Sequence, residues 1–219
     1  MDVVLFGATG MIGQGVLREC LLDPGVRRVI SIGRSATGQQ HPKLREIIHA
    51  ALDDISALEP ELTRLDACFF CLGITSAGMS EEEYSRITYD YTVAVANTLV
   101  KLNPQMTFVF VSGAGTDSTE RGKMMWARVK GRAENALLRM PFKAAYMFRP
   151  GFIQPMHGAK SRTKSYRVFY TLTGPLLPLV RRMFPRSVTT TEQIARAMLT
   201  VVRSGAPQKI LDSAAINSL

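Results

Sequence analysis

The feature that most restricts this chain lies in its first 22 residues. A short apolar run, Val3 to Phe6, leads straight into Gly7-Ala8-Thr9-Gly10-Met11-Ile12-Gly13 and then into a stretch of helical period that stops at Asp23-Pro24-Gly25. Three glycines at this spacing answer three mechanical needs. Gly7 allows the tight turn out of a strand, Gly10 lets a pyrophosphate approach the backbone, and Gly13 lets the helix pack close to the sheet. Thr9, Met11 and Ile12 line the same turn, and the helix N-terminus directs free N–H groups and a positive dipole end toward the phosphates. The alternative is a glycine-rich connection that serves packing only.

The rest of the chain repeats the strand-then-helix order, the signature of a parallel sheet covered by helices on both faces. Strands are predicted at Val3–Phe6, Arg28–Ile32, Glu46–Ala50, Ala67–Leu72, Thr107–Ser112 and Ala144–Arg149. Helices are predicted over Met11–Leu22, Glu81–Leu102 and Lys123–Met140, each with an apolar line at spacings of three and four residues, and a short one is predicted around Ser56–Leu65. After Arg149 the alternation dissolves into Pro, Gly and basic residues. It returns at Thr189-Thr190-Thr191-Glu192, a capping-box pattern, with a last short strand at Lys209–Leu211. The fold class is therefore α/β, a doubly wound parallel sheet with a small C-terminal lobe: a nucleotide-binding domain over residues 1–150 and a substrate lobe over 151–219. At 219 residues and 46% hydrophobic content the chain is long enough for one such core.

The end of the second strand selects the dinucleotide. An acid there would bind the ribose 2′-OH of NAD, but the chain reads Ser31-Ile32-Gly33-Arg34-Ser35. A guanidinium clamps a 2′-phosphate bidentately, so Arg34 with the adjoining Ser35 favours NADP(H) over NAD(H). The competing reading has Arg34 solvated or stacked on the adenine. Asp53 is a candidate for the adenine amino group, with a helix N-cap role for Asp53 or Asp54 as the alternative.

The formal net charge of +9 is unevenly spread. Residues 1–100 carry 8 Lys/Arg against 13 Asp/Glu, whereas residues 101–219 carry 19 against 5. Within 121–186 the only acid is Glu134. No nucleic-acid-binding module accompanies this charge, so nucleic acid is not expected as a partner. The Lys160–Arg167 segment, the apolar stretch 168–180 and Arg181-Arg182 suit a solvated lobe first, an anionic small molecule second and a membrane surface third. The apolar stretch is too short and too broken by Gly174, Pro175 and Pro178 to span a bilayer.

Three cysteines, Cys20, Cys68 and Cys71, argue against a disulfide framework. The opening Met1–Gly7 has no basic leader region, so cytoplasm is the expected location and a monomer or homodimer the expected state. Cys68-Phe69-Phe70-Cys71 falls on a predicted strand, where residues three apart face opposite sides, so no redox or zinc pair is expected. His41, His49 and His157 have no ligand-spaced partners, and no metal site is expected. His157 is a candidate to overhang the cleft.

The motifs together resemble the extended and atypical short-chain dehydrogenases, in particular the Tat-interacting-protein-like branch often labelled as NAD-dependent epimerases or dehydratases. Beyond the glycine loop, Cys71-Leu72-Gly73-Ile74-Thr75 looks like the family's nicotinamide-side turn, Val111-Ser112-Gly113-Ala114 is similar to the strand bearing its serine, and Arg149-Pro150-Gly151-Phe152-Ile153 is similar to the loop under the nicotinamide amide. The resemblance covers about residues 3–155 and implies an NADP(H)-binding oxidoreductase acting on a small carbonyl. It implies cofactor contacts at Leu72, Gly73, Ile74, Pro150, Gly151, Phe152 and Ile153, and a catalytic set of Ser112 followed by Tyr-x-x-x-Lys, in which the lysine, here Lys130, also holds the cofactor's ribose hydroxyls and lowers the phenol's pKa. Here that stretch reads Trp126-Ala127-Arg128-Val129-Lys130, so Trp126 stands where the family has its proton-transferring tyrosine. An indole N–H donates a hydrogen bond but does not ionise near neutral pH. Two readings stay open: a hydride-transfer enzyme whose proton comes from Ser112, Lys130, Tyr166 or Tyr170, and a catalytically silent NADP(H) sensor or scaffold.

Overall fold

In a computed structural model of the chain, which describes residues 1–159 and 188–219, strand β1 (Asp2–Phe6) occupies the middle of a parallel sheet. It pairs with β2 (Arg28–Gly33) on one side and β4 (Ala67–Phe70) on the other. The sheet continues through β3 (Leu44–Ile48) beyond β2, and through β5 (Thr107–Val111), β6 (Ala144–Arg149) and β9 (Ile210–Asp212) beyond β4. The order is β3-β2-β1-β4-β5-β6-β9. Strand order therefore reverses between β1 and β4, where a doubly wound sheet opens its ligand crevice at the carboxyl ends. A separate parallel pair is formed by β7 (Phe152–Gln154) and β8 (Val188–Thr190).

Strands buried on both faces read as continuous apolar runs, and alternate side chains divide the core in two. Val3, Leu5, Phe69, Val109, Val111 and Phe148 pack with Val16, Leu17 and Cys20 of α1 (Met11–Leu22) and Ile194, Met198 and Val201 of α5 (Thr191–Ser204). On the other face Val4, Phe6, Cys68, Phe70, Phe108, Phe110 and Met147 pack with Val95 and Leu99 of α3 (Tyr91–Leu102) and Ala133 and Leu137 of α4 (Met125–Arg139). The short α2 (Glu81–Ser85) precedes α3, and α6 (Ser213–Asn217) closes the chain.

Several element boundaries differ from the sequence expectation. β3 starts at Leu44 because its register is set by pairing Leu44 with Val29, not by its own weak alternation. The expected helix after it is a 3-10 segment, Ser56–Glu61, containing Pro60, which cannot donate to a longer helical ladder. The predicted Glu81–Leu102 helix is interrupted by a π turn at Arg86–Asp90. α5 is capped by Thr190 with Gln193, one residue later than the predicted box. The chain beyond residue 150 is divided: β7 and β8 stand apart as a small unit, while α5 and β9 join the main layers. Tyr166, Tyr170 and the basic segment 160–186 lie outside the described residues.

Candidate active site

Because the strands are parallel, the loops after β1, β4, β5 and β6 all emerge along one edge. Pairing carries this alignment past the strand ends: Cys71 N donates to Phe6 O (2.9 Å), Ser112 N to Phe148 O (2.8 Å) and Ala114 N to Pro150 O (3.0 Å).

The loop after β1 is a cradle that only glycine can build. Gly7 has φ +82°, and a Cβ there would lie 2.7 Å from the Cys71 carbonyl carbon. At Gly13 a Cβ would lie 2.0 Å from Gly7 O, so the first turn of α1 is pressed against the turn it follows. Gly10 caps α1 in an extended conformation with no side-chain hydrogen bond, and no acid occupies the first turn. The helix thus presents uncapped N–H groups at the crevice, a setting that fits a dinucleotide pyrophosphate. Thr9 O accepts from Gln14 Nε2 (3.0 Å), and Met11 and Ile12 lean partly on the core.

Arg34 is exposed just beyond β2 and makes no hydrogen bond or ion pair with a described residue; Ser35 beside it is also exposed. Neither acid near residue 53 is a helix N-cap, a position that Ile55 holds; Asp54 accepts from Ser56 N (2.8 Å), and Asp53 is exposed with no partner among the described residues. In the turn after β4, Leu72 packs on the core, Gly73 has open space about it and Ile74 is exposed.

Ser112 is buried at the end of β5, two residues beyond Phe110 and therefore on the α4 face of the sheet. Its Oγ lies 2.9 Å from Thr116 Oγ1, whose own proton goes to Gly113 O (2.8 Å). Ser112 is accordingly the donor in that pair. The Trp126 ring lies against the same turn: a Cβ on Gly115 would come within 3.2 Å of its Cη2. One helical turn later, Lys130 Nζ sits 5.6 Å above the Phe110 ring. Burial pushes the Lys130 ammonium down to about 8, with the Glu134 carboxylate opposing the shift.

Glu134, one further turn along α4, is fully buried. Arg149 Nε donates to both its oxygens (3.0 and 3.2 Å), and Arg149 Nη2 donates to Glu134 Oε2 and to Ser118 Oγ. In the sequence Glu134 stands out only as an isolated acid, and nothing there singles out Thr116. The spacing of Trp126, Lys130 and Glu134 by four residues was the available signal for one shared face.

Pro150 is buried against the Ser112 turn, and Gly151 N is held by Ser213 Oγ (2.8 Å). Phe152 is exposed, whereas the Ile153 side chain belongs to the core and leaves only its backbone toward the edge. His157 pairs with Glu192 of α5 (2.6 Å). Cys68 and Cys71 face opposite sides of the sheet, and burial raises both thiols; Cys20 is pushed up to about 12 for the same reason. Among the described residues no His, Cys, Asp and Glu group is arranged to hold a metal, and no helix is long and apolar enough to cross a membrane.

Comparison with known proteins agrees with this geometry. The model of the NAD dependent epimerase/dehydratase family matches residues 3–121. Protein fmp52-1, mitochondrial, of Aspergillus oryzae is 30% identical over 161 residues, 69% of this chain and 66% of its own length. Protein HTATIP2 of Rattus norvegicus is 26% identical over 154 residues, covering 69% of this chain and 62% of that protein. The chain thus spans about two thirds of the length of the curated relatives it matches. Among solved structures, the dTDP-glucose 4,6-dehydratase DesIV double mutant from Streptomyces venezuelae, with NAD and DAU bound, superposes with a TM-score of 0.71 at 16% identity, over 97% of this chain and 75% of that one. MoeE5 in complex with UDP-glucose and NAD superposes with a TM-score of 0.68 at 18% identity, over the same shares.

The fungal relatives are named mitochondrial. They overturn the cytoplasmic expectation, which rested on cysteine usage and the opening residues; a low cysteine count does not tell one compartment from another. The matched residues 3–121 contain the glycine cradle, the turn after β4 and Ser112, and with the seven-stranded parallel sheet they place this chain in the NAD dependent epimerase/dehydratase family, with its nicotinamide-dinucleotide-binding fold.

Proposed function

We propose that the chain binds NADP(H) along the carboxyl edge of the sheet and transfers hydride to or from a small carbonyl or alcohol substrate. The pyrophosphate rests on Gly7, Thr9, Gly10, Met11, Ile12 and Gly13. Arg34 and Ser35 take the 2′-phosphate, Asp53 the adenine amino group, and the Leu72–Ile74 and Pro150–Ile153 backbones flank the nicotinamide. Preference for NADP(H) is supported by Arg34 standing exposed, with no partner among the described residues, where an acid would select NAD. The hydride-transfer reading is carried by one observation: a desolvated Lys130 on the same face as Ser112, at the edge where the nicotinamide turn emerges. Beyond the cofactor, the second ligand is an anionic small molecule, as the basic second half of the chain favours.

A specific observation favours a second reading, an NADP(H)-binding sensor without turnover: Trp126 cannot ionise near neutral pH, and the Ser112 proton is already directed at Thr116. The experiments separate the two. Trp126 is the only tryptophan, and its emission should be quenched on titration with NADPH; no change with NADPH or NADH refutes the cofactor placement. Arg34→Asp should weaken NADPH at least tenfold more than NADH, and equal loss removes Arg34 from the phosphate site. NADPH oxidation against a panel of aldehydes and ketones should be measurable in the native protein. If only Trp126→Tyr is active, the sensor reading stands.

A further inference from the structure

α4 carries a cation, Lys130, with no hydrogen-bond or ion-pair partner among the described residues; its Nζ faces the Phe110 ring instead. Apart from Glu82 of α2 and Asp90 of the π turn, which have no hydrogen bond or ion pair with a described residue, the charged groups closest to it on the elements around it are engaged. From β6, Arg149 is held by Glu134 and Ser118. From α2, Glu81 is paired with Arg128, while Arg132 bonds Ser85 and stacks on Tyr89 of the π turn. From the loop before α4, Asp117 is bound by the N–H groups of Thr119, Arg121 and Gly122. Glu134 is the carboxylate left to act on Lys130, and it is shared with Arg149.

We propose that Lys130 itself exchanges the proton with the substrate oxygen, in the place a phenol would hold, and that Glu134, anchored by Arg149, is the positioning residue that keeps the ammonium loaded. The inference rests on the dinucleotide reading given above. In the reducing direction a bound reduced dinucleotide would supply the hydride to the carbonyl carbon, and the C=O π pair would become an O–H bond by capturing a Lys130 proton. That would leave the alcohol, the oxidised dinucleotide and the neutral Lys130 amine, which would regain its proton from solvent. The other groups at hand are less suited: the Trp126 N–H does not ionise, and the Ser112 hydroxyl donates to Thr116. An ammonium held near 8 lies close enough to neutrality to give up and regain a proton within each turnover.

The test begins without substrate. In protein carrying 15N-labelled lysine, the Lys130 resonance, identified by its absence in Lys130→Arg, should titrate near pH 8, well below the other lysines. Glu134→Gln should lower that midpoint by about one pH unit. In NADPH oxidation with the carbonyl panel, the rate should fall above the same pH, and Glu134→Gln should move both midpoints together. Lys130→Arg should still quench with NADPH but lose roughly 100-fold in rate, the scale of a lost general acid. A Lys130 that titrates with the surface lysines overturns the proposal. So does a rate profile that stays in place when Glu134→Gln moves the resonance, or a native protein that binds NADPH and reduces no carbonyl at any pH. Absence of NADPH binding at every pH refutes the dinucleotide reading, and this proposal with it, by a different signal.

Discussion

Replacing Lys130 by methionine should make the protein more stable, with an advantage that depends on pH. The folded state holds the Lys130 ammonium at about 8 against an ordinary lysine value of 10.5, and burial is the principal cause. The charged form is thus disfavoured by folding, by up to about 3 kcal/mol. The sign follows from linkage. Below pH 8 the side chain is protonated in both states and the full penalty applies. As pH rises through 8 toward 10.5 the folded state sheds its proton first, and the penalty disappears. Methionine keeps the aliphatic stem over Phe110 and carries no charge, while Glu134 retains Arg149. At pH 7 the variant should gain up to about 3 kcal/mol, a rise in midpoint temperature of roughly 6–12 °C for a chain of this size. Urea denaturation from pH 6 to 10 should show the two proteins converging at the alkaline end. A Lys130→Met protein less stable than native at pH 7, or a difference that does not change with pH, would refute the claim that the ammonium is desolvated. Stability gained where activity is lost is also the pattern expected of a strained functional group.

Three further outcomes follow from the geometry. Gly13→Ala puts a Cβ 2.0 Å from Gly7 O, and denaturation should show a loss of at least about 3 kcal/mol together with loss of NADPH quenching; near-native stability would mean the cradle is not closed as described. Arg149→Ala leaves the fully buried Glu134 carboxylate without its guanidinium, at a cost of about 3–5 kcal/mol in urea unfolding, and a cost under about 1 kcal/mol would show that the charge finds water. Cys20 and Cys68 should resist a disulfide reagent at pH 8 until the protein is unfolded, since both are fully buried and burial raises both thiols; rapid labelling of Cys68 in the native protein would contradict its place between β4 and the α3–α4 layer.

How far the sequence could be read varies along the chain with how local the deciding interactions are. The glycine cradle was legible because its requirements, a left-handed Gly7 and a Cβ-free Gly13, are satisfied within seven residues. α1 and α4 were legible because a helix buries a stripe that its own spacing displays. β3 slipped by two residues because an edge strand takes its register from its neighbour, and the helix before β4 shrank to a 3-10 turn around Pro60. The π turn at Arg86–Asp90 left no mark in the apolar pattern, which runs through it unchanged.

The order of elements, the glycine loop and the placing of Trp126 and Lys130 on one helical face were determined by the amino-acid sequence itself, since each depends on residue type at short spacing. The distribution of charge at the cleft was decided only by the tertiary structure. Glu134 and Arg149 lie on different elements 15 residues apart, and what brings them together, and draws the Glu134 charge toward Lys130, is the packing of α4 across the ends of β5 and β6. Burial sets the strength of that coupling, because a charge removed from water answers chiefly to the few groups around it.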